Sequence, residues 1–323
     1  MLRTISAAAI AAAMALGVAA APADAFPDRP IRLVVSFPPG GAADFLGRLY
    51  AQHLGEELGV SVVVENRPGA SGSVGARMVA EAAPDGYTLV LGSVSSHATS
   101  ATMMPDAGYH PVDSFTPIHL MAMVPTVMVV NAGLGVDSVD GFVELAKNQP
   151  GEFNYGSVGN GTSQHLAAVI FSNLTGVEME HIPYSGQNTM APDLGAGIIQ
   201  VSFNNLTSNQ GQIQAGEVVA LAVALDERWP ELPNVPTFTE VGLGGMEVSS
   251  WVGFFAPAGL PADRREILSA ASLRAMGKDD VRAAIFDSGS MPVGGDADQL
   301  GAFVASQTAF WREAIIAAGV APE

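Results

Sequence analysis

Residues 36–48 read SFPPGGAADFLGR, and this stretch joins a predicted strand to a predicted helix. Residues 31–37, which run into the start of this stretch, are almost all apolar, which is typical of a strand buried on both faces. Helical spacing of apolar residues then extends over residues 42–58. Between the two, a pair of prolines fixes φ and removes N–H donors, and a pair of glycines permits conformations closed to other residues. The junction is therefore either a tight turn alone or a backbone shaped to hold a ligand.

The same order of strand, glycine loop and helix recurs at residues 155–165, YGSVGNGTSQH. Around these two junctions the pattern alternates between strands and helices, which favours an α/β fold with mostly parallel sheets and right-handed crossovers. The further predicted strands cover residues 60–65, 88–92, 126–131, 153–158, 201–204, 218–224 and 251–256. The further predicted helices cover residues 75–83, 139–147, 164–174, 261–273, 280–287 and 297–318.

The chain has 323 residues, which is enough for two domains of ordinary size. Predicted strands at residues 124–131 and 248–256 stand where a flexible linker would otherwise join the domains. We therefore predict two lobes between which the chain crosses twice. Lobe 1 comprises residues 26–125 and 250–323, lobe 2 comprises residues 126–249, and hinges lie near residues 124–128 and 248–252.

The N-terminus has the pattern of a secretory signal peptide, with Arg3, an apolar run over residues 7–21 and the small-x-small sequence Ala23-Asp24-Ala25. We predict cleavage after Ala25. A membrane anchor is the alternative, which the short, alanine-rich run disfavours. The chain has no cysteine, so disulfides, zinc–thiolate sites and iron–sulfur clusters are excluded. An exported, soluble chain of this kind suits the bacterial periplasm.

The formal net charge is −18, and the only lysines are Lys147 and Lys278. Nucleic acids and anionic membranes are therefore poor partners, because phosphate contacts require clusters of cations. A single pocket can still bind an anion through backbone N–H groups, since net charge does not describe one cleft.

Signatures of catalysis and of metal binding are missing from the sequence. The six histidines show none of the spacings of metal-binding helices, and no glycine loop carries the lysine of a phosphate-binding loop. Tyr155 stands where a nucleophile elbow around Ser157 needs glycine. We expect no catalytic residue, no metal and no cofactor. A secreted hydrolase that uses Ser157 or Ser93 with a nearby histidine is the alternative from another functional class.

Asp44 lies in the first turn of the helix after the opening junction. Its carboxylate could interact with the helix dipole and with Arg48 one turn later. It could equally accept a hydrogen bond from a ligand or from a bound water. The residues alone leave both interpretations open.

Six longer segments together resemble the tripartite tricarboxylate transporter substrate-binding proteins, the Bug-type periplasmic receptors. In chain order they read FPDRPIRLVVSFPPGGAADFLGR, VVVENRPGASGSVGARMVAEAAPDGYTLVLGS, NYGSVGNGTSQHLA, HIPYSGQN, LPNVPTFTEVGL and WVGFFAPAGLP. The resemblance implies a two-lobed type II periplasmic binding protein that is not an enzyme. It also implies a small organic acid as ligand (a di- or tricarboxylate, an aromatic acid or an amino acid), held largely by backbone amides in the interlobe cleft. The implied partners are membrane permease subunits or, alternatively, a membrane sensor, and the implied state is a monomer.

The resemblance also implies a set of ligand-binding residues. Those of lobe 1 are Phe37, Gly40, Gly41, Asp44, Ser93 and His97, and those of lobe 2 are Ser157, Gly159, Gly161, Thr162, His165, Tyr184 and Asn204. Two positions depart from the family pattern. Ser185 stands where a cation is common, and Gln200 stands where an aspartate is usual. The identity of the ligand therefore does not transfer.

Overall fold

The structure is a computed structural model, and it describes residues 26–246, 248–320 and 322. Two β-sheets, each flanked by helices, make up the fold. The predicted signal peptide, residues 1–25, lies outside the described residues. Within the described part of the chain, no helix is both long enough and apolar enough to cross a membrane.

The first sheet has six strands in the order β11-β4-β10-β3-β1-β2. These strands are β1 (Ile31–Val35), β2 (Val62–Asn66), β3 (Thr88–Gly92), β4 (Phe115–Val124), β10 (Ser250–Pro257) and β11 (Met291–Gly295). Strand β1 runs parallel to both of its neighbours, as predicted. Strand β10 runs antiparallel to β3 and to β4, and β11 runs antiparallel to β4. The sheet is therefore mixed, with a parallel half and an antiparallel half.

The second sheet has five strands in the order β7-β6-β8-β5-β9. These strands are β5 (Thr126–Asn131), β6 (Asn154–Ser157), β7 (Glu180–Pro183), β8 (Val201–Asn205) and β9 (Val218–Val223). Strand β6 is parallel to β7 and β8, whereas β5 is antiparallel to β8 and β9. We call the part of the molecule around the first sheet lobe 1 and the part around the second sheet lobe 2. The predicted α/β architecture is confirmed, although both sheets are mixed.

Ten α-helices cover the sheets within the described residues. They are α1 (Ala42–Leu58), α2 (Ser73–Ala80), α3 (Ser100–Met103), α4 (Val139–Asn148), α5 (Ser163–Thr175), α6 (Gln187–Gly195), α7 (Leu206–Ala215), α8 (Ala262–Met276), α9 (Asp279–Asp287) and α10 (Ala297–Ala317). A short π-helix, Ser95–Thr99, precedes α3. The bounds of α1 are those predicted from the sequence, because an extended Gly41 precedes the helix and a left-handed Gly59 ends it.

The core of lobe 1 lies on both faces of β1, as the uninterrupted apolar run predicts. Leu33, Val34 and Val35 are fully buried. Helix α1 packs its own buried face, which includes Leu46 and Leu54, in one cluster with Leu33 and Val35, whereas Val34 belongs to the cluster on the other face of the strand. This packing fixes the carboxyl end of β1 and the first turn of α1, so the junction between them has a defined position.

The two segments that join the sheets lie side by side. Strand β4 ends at Val124 and β5 begins at Thr126, so the chain passes between the sheets at this point. Ser250, the first residue of β10, pairs with Val124. The predicted lobe boundaries and hinges lie at these paired segments and stay predictions.

Candidate functional site

A cavity lies between the two lobes, at the ends of strands from both sheets. Its empty volume is about 670 Å³, which includes space open to solvent. Lobe 1 contributes the β1–α1 junction, the end of β3 and the paired segments at Val124 and Ser250. Lobe 2 contributes the starts of three helices. Among the described residues, those that line the cavity are all uncharged.

The N-termini of four helices meet at this cavity. The lining residues that carry them are Ala42 and Ala43 of α1, Ser163 and Gln164 of α5, Gln187 of α6, and the N-cap residue Asn205 with Ser208 for α7. The N-caps of α1, α6 and α7 make no side-chain capping hydrogen bond to the first turn. The first N–H groups of a helix have no partner within the helix and carry a partial positive charge. The arrangement therefore favours an anion without any cationic side chain.

The β1–α1 junction closes against lobe 2, which explains one of its glycines. Gly40 has a φ of +93°, and a Cβ atom built there would lie 2.9 Å from the side chain of Asn188. Asn188 Nδ2 donates a hydrogen bond of 2.9 Å to the carbonyl oxygen of Pro39. The left-handed backbone favours glycine at this position, and a Cβ atom would also force the Asn188 side chain to shift. The junction is thus more than a turn, because it also contacts the opposite lobe.

Asp44 supports the junction from behind. One of its carboxylate oxygens accepts hydrogen bonds from the N–H of Gly40 at 3.1 Å and from Arg48 Nε at 3.0 Å. The other oxygen accepts one from Asn66 Nδ2 at 2.9 Å. Burial raises the pKa of Asp44, but the bonds from Arg48, Asn66 and Gly40 outweigh it, so the pKa lies below its ordinary value. Asp44 does not itself line the cavity.

We expect an Asp44→Asn variant to bind ligand about tenfold more weakly, because the amide turns one acceptor oxygen into a donor that faces other donors. The side chain at position 44 is buried, and leaving a buried polar group without its partner costs about 1–3 kcal/mol in the free energy of unfolding, measured by urea denaturation. Asp140→Asn, an exposed change in the first turn of α4, is the control. If Asp44 only positions the loop, all ligands lose the same factor. Losses confined to ligands with a hydroxyl or amine would instead indicate direct contact.

The loop before α5 is held by two histidines. The N–H of Gly161 donates to His165 Nδ1 at 3.1 Å, and the ring of His165 stacks on that of His181 with centroids 4.3 Å apart. Ser157 Oγ lies 2.7 Å from His181 Nε2. Thr162 lines the cavity and caps α5, since its side chain accepts a hydrogen bond from the His165 N–H. The histidines thus shape the loop from behind.

The contact between Ser157 and His181 does not have the surroundings of a nucleophile and its base. Ser157 is fully buried, and its hydroxyl donates to the carbonyl oxygen of Gly159 at 3.0 Å. Burial, aided by the neighbouring His165, lowers the pKa of His181 to about 4. Within the described residues, no carboxylate is hydrogen-bonded to His181, so the third member of a triad is missing there. No observation at Ser157 therefore favours the hydrolase alternative.

The structure brings some of the sequence-predicted residues to the cavity wall and places others behind it. Those that line the cavity are Phe37, Gly41, Ser93 and Thr162. Those that contact lining residues or shape the two loops are Gly40, Asp44, Ser157, Gly159, Gly161, His165 and Asn204. All thirteen assignments stay predictions.

Two predicted residues lie away from the cavity wall. His97 is fully buried, and its ring packs between those of Phe115 and Phe255 at centroid distances of 4.4 and 4.3 Å. The hydroxyl of Tyr184 donates a hydrogen bond of 2.7 Å to Asp193, the carboxylate of helix α6. Both contacts are structural, within their own lobe.

Several residues that line the cavity were not predicted from the sequence. Gln164, Gln187, Asn205 and Trp251 are the polar ones with long or planar side chains. Trp251 stands in the predicted crossing segment at residues 248–256, and that position could have revealed it. The other three stand at helix starts, and no helical pattern in the sequence marks α6 or α7. Among the described residues, no group of three histidine or carboxylate side chains is placed to hold a metal ion.

Comparison with known families gives one match that covers most of the chain. A family model described as tripartite tricarboxylate transporter family receptor matches residues 46–320. The match thus includes the end of β3, both paired segments, α5, α6 and α7, and α1 from residue 46 onward.

Similar proteins agree with this match. Protein BugT of Bordetella pertussis is 34% identical over 290 residues, which is 90% of this chain and 89% of BugT. The structure of R. palustris Rpa4515 with adipate has a TM-score of 0.89 and 36% identity, over 92% of this chain and 100% of that one. The structure of MatC from Rhodopseudomonas palustris with bound malate has a TM-score of 0.85 and 29% identity, over 90% and 100% of the two chains.

Proposed function

The chain belongs to the tripartite tricarboxylate transporter receptor family, and on this premise we propose that it is an exported solute receptor and not an enzyme. It binds a small organic carboxylate in the cavity between the lobes and presents it to a membrane component of a tripartite transporter. The relatives solved with adipate and with malate support this class of ligand. The proposed mature chain begins at Phe26, in the periplasm.

The observation that carries the proposal is the meeting of four helix N-termini at an uncharged cavity. One helix N-terminus stabilises a negative charge by about 0.3–1 kcal/mol, and by up to about 2 kcal/mol where solvent is partly excluded. Several such ends can hold a carboxylate in a protein whose formal net charge is −18. A cationic ligand would meet the wrong sign of potential at every one of these ends.

Contacts across the cleft support a closing mechanism. Thr99 Oγ1 donates to the carbonyl oxygen of Gly161 at 2.7 Å, and Ser71 Oγ donates to that of Asn160 at 2.6 Å. Both bonds join lobe 1 to the loop before α5. A ligand that touches both lobes stabilises the arrangement in which these bonds form, by its difference in affinity between open and closed states. The proposed lobes are residues 26–125 with 250–323 and residues 126–249, and they move about the paired segments near Val124 and Ser250.

We expect purified residues 26–323, stripped of ligand by partial unfolding, to be stabilised by one or more organic acids in a thermal-shift panel. A ligand at about a thousand times its dissociation constant adds roughly 4 kcal/mol to the free energy of unfolding. Calorimetric titration then gives the affinity, and small-angle scattering with and without the acid measures closure. A folded protein that no acid stabilises, and that carries no acid in native mass spectrometry before stripping, would contradict the proposal.

A negative charge inserted into the cavity tests the site, and the same charge placed elsewhere on the surface is the matched control. Ser163→Asp places a carboxylate at the start of α5, where Ser163 lines the cavity. We expect it to abolish the stabilisation by acids. Asn148→Asp adds the same charge at the exposed end of α4 and is expected to leave it unchanged.

A further inference from the structure

A relay of three side-chain amides runs along lobe 2 beside the cavity. The N–H of Val158 donates to Gln164 Oε1 at 2.9 Å, and Gln164 Nε2 donates to Asn204 Oδ1. The N–H of Asn205 donates to the same Asn204 oxygen at 2.8 Å. Asn204 Nδ2 then donates to Gln187 Oε1 at 2.7 Å.

The direction of this relay is fixed by the backbone. A side-chain amide has one oxygen that accepts and one nitrogen that donates. The backbone N–H groups of Val158 and Asn205 can only donate, so the amide oxygens of Gln164 and Asn204 must face them. The nitrogen of Asn204 therefore faces Gln187, and Gln187 must meet it with its oxygen. The amide nitrogen of Gln187 is left as a donor with a known orientation.

This donor is buried and lacks a protein partner, and two other groups on the cavity wall share that state. Within the described residues, Gln187 Nε2, Trp251 Nε1 and Ser93 Oγ have no hydrogen-bond partner. Gln187, Trp251 and Ser93 all line the cavity. Trp251 is 0% exposed and Ser93 is 7% exposed. Buried polar groups in folded proteins are normally hydrogen-bonded, so unpaired groups on a cavity wall point to a ligand.

We propose that Gln187 Nε2 and Trp251 Nε1, aided by Ser93 Oγ, form a donor subsite for the far end of the ligand. The inference rests on the proposed function and narrows its ligand class. The amide nitrogen and the indole nitrogen can only donate, so the group that they bind must be an acceptor. The ligand is a carboxylic acid whose other end carries a second carboxylate or an oxo group. An acid that ends in a methyl or an ammonium group leaves these donors unpaired.

The test is calorimetric titration of stripped protein with acids of matched length. One set is butanoate, 4-oxobutanoate, succinate and 4-aminobutanoate, and the other is hexanoate, 6-oxohexanoate, adipate and 6-aminohexanoate. In at least one set, we expect the oxo acid or the diacid to bind at least about 10-fold more tightly than the methyl-ended and ammonium-ended acids, a difference of about 1.4 kcal/mol.

Two variants remove the donors and keep the shape of the side chains. Gln187→Met and Trp251→Phe are expected to bring the ratio between the dissociation constants of the methyl-ended acid and the diacid or oxo acid towards one. The controls are Gln149→Met, an exposed change, and Trp311→Phe, whose indole nitrogen is already bonded to Gln307 at 3.1 Å. Both controls should keep the ratio of the unchanged protein.

The possible failures are distinguishable. Equal affinity for all members of both sets, or tightest binding of an ammonium-ended acid, would overturn the subsite and leave the receptor function standing. A preference that survives in both Gln187→Met and Trp251→Phe would overturn the assignment to these residues. Absence of binding by every acid would contradict the proposed function, and the subsite with it.

Discussion

A Gly41→Leu variant is expected to fold and to bind its ligand roughly 10- to 100-fold more weakly than the unchanged protein. Gly41 lines the cavity, and a Cβ atom built there would lie 3.9 Å from the Cβ of Gln187 in the opposite lobe. A leucine side chain extends beyond that point and meets lobe 2. Overfilling a packed site costs about 1–3 kcal/mol, and every 1.4 kcal/mol changes affinity about tenfold. Because only the closed state is overfilled, the cost falls on binding.

Gly41→Ala is the matched control for the wedge. Gly41 has an extended backbone, with φ −97° and ψ 178°, so alanine fits without strain. The distance of 3.9 Å to Gln187 is an ordinary van der Waals contact. Both variants lose whatever advantage glycine has as an N-cap, so the comparison isolates the side chain. Calorimetric titration measures both; equal affinities for the alanine and leucine variants would show that the lobes do not close at Gly41.

The elements around the two glycine junctions could be predicted because their signals are local. In the first lobe, an apolar run, a glycine junction and a helix with a regular apolar face follow one another within residues 31–58. The helix bounds, Ala42–Leu58, agree with the prediction at both ends. The second junction repeats the pattern, and β6 is followed by α5 there.

The elements that the sequence did not reveal lack such signals. Strand β4 carries Pro117 and pairs with β10 through two register shifts, so no regular alternation marks it. Strand β11, MPVGG, is short and rich in residues that disfavour strands. Helix α7, LTSNQGQIQA, has almost no apolar stripe. These elements form because they pair with or pack against the rest of the fold. The periodicity of a single sequence carries no information about such tertiary contacts.

The same division holds for the site. The two glycine loops could be predicted, because glycine and proline mark them directly. The amide relay through Gln164, Asn204 and Gln187 could not, since the three residues are brought together only by the sheet order. Asp44 shows an intermediate case. The sequence allowed a pair with Arg48, but the bond to Gly40 that holds the loop depends on the conformation of the loop itself.

We expect the free energy of unfolding to fall by about 4–6 kcal/mol when the pH is lowered from 7 to 5, owing to His97, His119 and, to a smaller extent, the partly buried His181. The side chains of His97 and His119 are fully buried, and that of His181 is partly buried. Burial lowers the pKa of His97 to about 3 and the pKa values of His119 and His181 to about 4 in the folded protein. An unfolded histidine has a pKa of about 6.5, so the unfolded chain takes up three protons at these positions that the folded chain does not bind.

The direction and the pH window follow from these values. Because the folded pKa values are lowered, the stability from neutral histidines is complete above about pH 6.5 and is lost as the pH falls towards 4. A pH of 5 lies about 1.5 units below the unfolded pKa of histidine. Each fully buried histidine that stays neutral in the folded protein therefore lowers the free energy of unfolding by about 2 kcal/mol at this pH. The lowered pKa of Asp44 acts only at still lower pH, because an unfolded aspartate has a pKa near 3.9. Loss of stability between pH 7 and pH 5 is therefore assigned to the histidines.

Urea denaturation at pH 7 and at pH 5 measures this loss, and variants assign it. His97→Phe keeps a ring between Phe115 and Phe255 and removes the titrating group, so it should cut the loss by about a third to a half. His119→Gln should do the same by an independent route, whatever its effect on stability at pH 7. The control is His110→Gln, because His110 is exposed. Equal stability of the unchanged protein at the two pH values would mean that the buried histidine rings bind protons in the folded protein. That result would contradict the packing described around His97 and His119.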